Sequence, residues 1–174
     1  MRTGTLLVTG LLSVGLLAAG PAGAQSASAK LSNSEGAAIG SVTMTQLAKG
    51  VQIIIEASDL PAGEHAFHIH AVGACEPPEF KSAGGHFNPT GAEHGWDNPG
   101  GHHAGDLPNI HVGDDGTLSV EYLTDAVTLG PGPNSLFDAD GSAVVMHQDA
   151  DDYQSDPAGN AGPRIACGVL AKSE

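Results

Sequence analysis

The chain has 174 residues, a formal charge of −14 and a sequence pI near 4.7, with 40% hydrophobic and only 4% aromatic residues. That length suits a single domain, and so acidic a surface argues against nucleic acid or an anionic membrane as partner. Core packing must come from Val, Ile, Leu and Ala rather than from large rings.

Residues 1–24 read as a secretory signal rather than as part of the fold. Arg2 gives a basic start, Leu6–Ala19 is apolar, and Ala22-Gly23-Ala24 is a small-residue cleavage site. The apolar run is too short for a membrane anchor. The expected mature domain spans 25–174 and is exported, to the periplasm or beyond the cell. Cleavage removes one positive charge, Arg2, taking the net charge from −14 to −15 and leaving Arg164 as the sole arginine. In an oxidising compartment Cys75 and Cys167 are expected to pair. In the chain-entropy model so long a closed loop stabilises by roughly 4 kcal/mol.

The mature chain alternates and turns like an all-β protein. Strands are expected at Ala27–Ser32, Ala37–Leu47, Val51–Ser58 and His65–Ala71, punctuated by Asn33–Gly36, Lys49-Gly50 and Leu60–Gly63. A long loop region follows over Val72–His103. Strands then resume at Asp106–Val112, Thr117–Leu123, Ala143–His147 and Arg164–Leu170. Eight short strands without a long helix predict a Greek-key flattened barrel or sandwich with long loops. Asp138-Ala139-Asp140-Gly141 opens like a calcium loop but lacks the later ligands and flanking helices, so a solvated turn is expected.

The chemistry concentrates in His86–Asp106, which holds four histidines and a closing aspartate among Gly, Pro and Asn. A loop this long in a compact domain is usually functional or disordered, and imidazole with carboxylate suits zinc. In His65-Ala-Phe-His-Ile-His70 the strand period sends His68 and His70 to one face and His65, Phe67 and Ile69 to the other. Two imidazoles on alternate residues of a strand can share a metal. His147, ending another strand, can complete a nitrogen-rich site suited to copper(II).

Five segments together resemble the copper–zinc superoxide dismutases of the exported bacterial type: HAFHIH from His65, GHFNP from Gly85, HAGDLPN from His103, VMHQDADD from Val145 and GNAGPRIACGV from Gly159. They span nearly the whole mature chain in the family's order. The resemblance implies a β-barrel enzyme with one copper and one zinc ion per chain. It implies His68, His70, His86 and His147 on copper and His86, His94, His103 and Asp106 on zinc, with His86 bridging the two. It makes His103 rather than His102 the zinc histidine, through the His-x-Gly-Asp spacing. His65 and His111 are left as structural or surface residues.

By the same resemblance the reaction is dismutation of superoxide to dioxygen and hydrogen peroxide by alternate reduction and oxidation of copper, in defence against oxidants outside the cytoplasm. His86 is then catalytic as well, leaving copper on reduction and carrying a proton. Asp151 is expected to hydrogen-bond the free nitrogens of a copper and a zinc histidine, and Arg164 to offer the anion a fixed positive charge. A homodimer is among the assemblies the resemblance allows. The chain departs from the pattern in the enlarged stretch Glu76–Gly85 and in a loop, Gln148–Asn160, with four aspartates and no lysine. Lys81 is the candidate substitute for loop-based steering. A metal-delivery module on the same fold would be expected to lose part of the ligand set or Arg164, and this chain keeps all of them.

Overall fold

A computed structural model describes residues 25–173; the signal expected over 1–24 lies outside the described residues. Ten strands and one 3₁₀ turn appear, with no α-helix among the described residues. Three long strands open the fold: β1 (Ser26–Asn33), β2 (Ala38–Gln46) and β3 (Val51–Ala57). Their sequences alternate, and so does their burial. Ala27, Ala29 and Leu31 point inward from β1, Val42 and Met44 from β2, and Val51, Ile53 and Ile55 from β3. Glycine 36 and Gly50 turn the chain between them with positive φ of 81° and 91°, which glycine adopts without steric cost.

The remaining strands are β4 (Gly63–His65), β5 (Phe67–His70), β6 (Ile110–Val112), β7 (Leu118–Thr124), β8 (Ala143–His147), β9 (Arg164–Val169) and β10 (Ala171–Lys172). The large antiparallel sheet runs β5-β8-β9-β1-β2-β3-β7, with β10 also on β1, while β4 pairs with β6. Since β4 leads into β5 through Ala66 alone, the two sheets form one curled wall. It is open only between β6 and β7, which the turn at Gly113–Gly116 connects. Strand β3 lies beside β7 although three strands intervene in the chain, which is the Greek-key crossing. Inside sits one apolar core that includes Leu31, Met44, Ile53, Phe67, Ile69 and Met146. Each such side chain contributes roughly 1.5–3 kcal/mol by leaving water.

The all-β expectation holds, with local differences. The single strand expected over His65–Ala71 is two, because its pairing partner changes: His65 lies opposite Ile110, whereas Phe67–His70 pair with β8. At the junction Ala66 donates to the Asp149 carbonyl and accepts from the His147 amide. The strand expected from Asp106 starts only at Ile110, since Asp106–Asn109 serves the site described below. The two-residue β10 has no counterpart in the sequence reading. Cys75 and Cys167 form a disulfide with a Cα–Cα distance of 5.7 Å. Asp138 accepts hydrogen bonds from the Asp140 and Gly141 amides, as the expected turn requires.

Candidate metal centre

Strand β5 carries His68 and His70 on one face and sends Phe67 and Ile69 into the core, as the parity argument requires. Two loop segments flank β5 through the backbone of one residue. The Ile69 amide donates to the Gly105 carbonyl, Phe87 donates to Ile69, and Gly105 donates to Phe87, all at 2.8–2.9 Å. This three-way lock sets His86 opposite His70 and Asp106 opposite His68. It needs glycine at 105, where a Cβ would lie 2.3 Å from the Ile69 carbonyl oxygen. The His-x-Gly-Asp spacing therefore has a steric cause.

The result is two groups of ligand atoms sharing one residue. His68, His70, His86 and His147 converge, as do His86, His94, His103 and Asp106, each group with its ligand atoms within 4.8 Å of one another. All seven side chains are buried. His102 turns away: its ring stacks on Trp96 at 3.8 Å between centroids, and Nδ1 bonds the His103 carbonyl. His111 is exposed. His65 is buried outside both groups, with its two ring nitrogens on the carbonyls of His147 and Pro61.

The hydrogen bonds orient the rings. His70 Nδ1 donates to the Gly84 carbonyl at 3.0 Å and His147 Nδ1 to the Gly162 carbonyl at 3.3 Å. Asp151 receives His68 Nε2 at 2.8 Å on one oxygen and His94 Nε2 at 3.0 Å on the other, so it joins the two groups. The opposite nitrogens, His68 Nδ1, His70 Nε2, His86 Nε2 and His147 Nε2, are buried without any partner. Four desolvated nitrogens facing one point are costly unless something binds them. In the second group His86 Nδ1 and His103 Nδ1 lie 2.8 and 3.2 Å from Asp106 Oδ1. His94 Nδ1 lies 3.0 Å from Oδ2 without hydrogen-bond geometry.

Burial also sets the protonation. It holds His68 down to about 4 and His147 down to about 3, and keeps His70 well below its ordinary value. These rings are neutral near pH 7, the form in which imidazole binds metal. Burial works the same way on His94, but the two carboxylates beside it, Asp106 at 3.0 Å and the hydrogen-bonded Asp151, outweigh it and carry the ring up to about 9. Burial raises Asp106 and Asp151 too, yet their histidine partners pull both well below the carboxylate range. A cation entering the second group therefore displaces a proton held between carboxylates.

Several supporting residues are given no role by the sequence reading, although Asn109 and Gly159 lie within the matching segments. Asn109 accepts from the Asp151 amide and donates to its carbonyl, bracing that loop. Asp156 accepts from the His94 amide at 2.8 Å. Gly159, at φ 60°, lies so close to Asp151 that a Cβ there would fall 1.9 Å from Oδ1. Asking where each ligand's backbone amide is satisfied would have raised Asp156, but no spacing points to it. Arg164, half-buried, donates Nη1 to the Phe80 carbonyl at 2.7 Å and Nη2 to the Gly84 carbonyl at 2.6 Å. It shares a cavity of about 300 Å³ with His86, His103 and His147, walled by Asn88, Pro157 and Ala158.

The family model of copper/zinc superoxide dismutase matches residues 38–170. The chain belongs to that family. It is 55% identical over 144 residues to a copper–zinc superoxide dismutase of Aquifex aeolicus, covering 82% of this chain and 85% of that one. It is 40% identical over 165 residues to the copper–zinc superoxide dismutase of Escherichia coli K12, covering 85% and 91%. A solved superoxide-dismutase-like protein from Bacillus subtilis superposes with a TM-score of 0.80 at 44% identity, over 83% of this chain and 97% of that one. The chain is thus an oxidoreductase that dismutates superoxide with copper and zinc. Its donor sets fit those ions: four unpartnered nitrogens suit copper, and three imidazoles with one carboxylate suit zinc. The disulfide and the bacterial relatives point to an exported protein.

Proposed function

We propose that His68, His70, His86 and His147 hold copper, that His86, His94, His103 and Asp106 hold zinc, and that His86 serves both ions. The supporting observation is the set of four buried nitrogens without partners, one of them on the ring whose other nitrogen faces Asp106. Bound copper supplies the one-electron redox chemistry; the chain supplies access, charge and orientation. His68 and His70 have no exposed surface, so superoxide approaches on the side lined by His86, His147 and Arg164. Two of the Arg164 nitrogens each donate to a backbone carbonyl, which fixes the guanidinium plane, and its remaining N–H groups are donors for the anion. His86 moves the proton through the nitrogen that has no protein partner. Asp151 holds His68 and His94 in the tautomers that leave their Nδ1 atoms free.

Residues 1–24 act as a cleaved signal, and the enzyme works outside the cytoplasm, in the periplasm or beyond the cell, against superoxide arriving there. Metal analysis of the mature protein beside superoxide consumption tests the assignment. One copper and one zinc per chain, with a copper spectrum that changes when zinc is removed, is expected. Full activity in a protein whose copper spectrum ignores zinc would overturn the bridge. Peptide mapping of exported protein should begin at Gln25, and sedimentation separates a monomer from a homodimer.

A further inference from the structure

The enlarged stretch between Cys75 and His86 folds around Phe80. Its ring is 1% exposed and packs in a small apolar cluster, apart from the main core, with Ala83, Ala143, Val145, Cys167 and the edge of Cys75. Its backbone is left-handed, φ 53° and ψ 25°, a conformation that a bulky residue rarely adopts and that surrounding packing must hold. That conformation starts the 3₁₀ turn Lys81–Ala83, with the Phe80 carbonyl accepting the Ala83 amide at 3.1 Å. The same carbonyl accepts Arg164 Nη1, and the Gly84 carbonyl at the far end of the turn accepts both Arg164 Nη2 and His70 Nδ1. One short turn therefore grips the guanidinium at both ends, and the same turn orients a histidine of the four-histidine group. The Cys75–Cys167 disulfide lies five residues upstream of the gripping carbonyl.

We infer that Phe80 is the positioning residue of Arg164: its buried ring pins the turn whose two end carbonyls fix the guanidinium beside the copper pocket. The disulfide tethers this subloop, and the ring sets its final geometry. The functional consequence rests on Arg164 being the anion-binding group, but the geometry does not.

Arg164 is the only arginine after residue 24, so its reaction with phenylglyoxal, located by peptide mass spectrometry, reads the grip directly. In mature protein with the disulfide intact, Phe80→Ala should speed modification by about threefold or more, as local opening frees the guanidinium. Phe80→Leu, which refills most of the cluster, should stay near wild type. In copper-loaded protein, azide affinity followed by the copper absorption band should fall for Phe80→Ala and recover in Phe80→Leu. If Phe80→Ala does not fold, Phe80→Val takes its place, with an intermediate rate expected. Folded Phe80→Ala or Phe80→Val with the wild-type modification rate would overturn the inference. Equal acceleration in Phe80→Leu would also overturn it. A fully active Arg164→Ala enzyme would instead remove the anion-binding reading and leave the modification result intact.

Discussion

The two ligand groups share His86 and are built in opposite ways. The β5–β8 ladder fixes the backbones of His68 and His70, and pairing with Arg164 on β9 together with an amide bond to the Ala66 carbonyl fixes that of His147. His86, His94, His103 and Asp106 come from a loop without regular structure between His86 and Asp106. Side-chain bonds shape that loop: Asp106 accepts the amides of Gly95 and His103, and Asp156 accepts that of His94. Electrostatics divides them as well. Burial keeps the strand-held rings neutral, whereas His94 in the loop takes up a proton between two carboxylates. A group held largely by a strand ladder thus stands beside one held by loop contacts, and substitutions can test each half.

The largest effect is expected at the shared ring. His86→Ala should perturb both metals and lower activity by roughly two orders of magnitude or more. His94→Ala should mainly cost zinc, leaving copper in the strand-held group. Metal content and the copper spectrum with and without zinc decide the matter. A His86→Ala enzyme with native zinc affinity would break the comparison.

Next is Asp151, the bond between the halves. Asp151→Ala removes an acceptor from both His68 and His94, but only His94 sits on the loop that depends on such bonds. Zinc affinity should fall about 10–100-fold, and copper affinity by much less, as chelator competition would record. Gly159→Ala should mimic it in part, because the added Cβ collides with the same carboxylate. Equal losses of both metals would show that the strand ladder does not hold its group as argued.

Protonation should separate the halves in metal-free protein. His68 and His147 are held at about 4 and about 3, below their unfolded value, so the unfolded chain binds more protons as pH falls below about 6.5. Their effect is a stability that rises with pH up to that point. His94 has the opposite sign. Raised to about 9, it contributes fully below its unfolded value of about 6.5 and loses that contribution as pH climbs to about 9. Thermal melts of metal-free protein should peak near pH 6.5, and Asp151→Asn should flatten the alkaline side while also altering the acid side, because it takes the same acceptor from His68. A melting temperature still rising above pH 8 would contradict the role given to His94.

The same division decided what the sequence could reveal. Period-two spacing set His68 and His70 together because a strand obeys that period, and His147 ends the one strand whose expected and observed bounds coincide. The core alternation of β1 to β3 was legible for the same reason. The break at Ala66 was not, because it reflects a change of partner and leaves no trace in local polarity. In the loop, His94, His103 and Asp106, which the structure brings together with His86, are singled out by motif resemblance alone, because local period has nothing to say there. Asn109, Asp156 and Phe80 act through backbone groups distant in sequence, so local pattern does not reveal what they do, even where, as for Asn109, a motif contains them. The sequence reading treated Glu76–Gly85 as an enlargement, whereas the fold uses it to hold Arg164.

The smallest effects concern charge around the mouth, where Arg164 and Lys81 differ in the way the two metal groups do, one fixed and one loose. Superoxide meets a strongly acidic protein, but physiological salt screens that field beyond about 8 Å. Local cations therefore govern the last approach. Arg164, gripped at both ends and lining the cavity, should be worth about tenfold in kcat/KM once solvent exposure is allowed for. Arg164→Ala should lose that factor with both metals retained. Lys81 lies in a neighbouring groove and its ammonium pairs with Glu79 at 2.9 Å, both side chains largely exposed. An exposed pair adds little, and the carboxylate cancels much of the field that Lys81 would offer the anion. Lys81→Ala should slow encounter by less than about twofold, fading with salt, and Glu79→Gln should speed it by a similar factor. Pulse radiolysis across a salt series measures all three variants. A Lys81→Ala loss as large as that of Arg164→Ala and independent of salt would mean that the loose cation acts at the copper pocket itself.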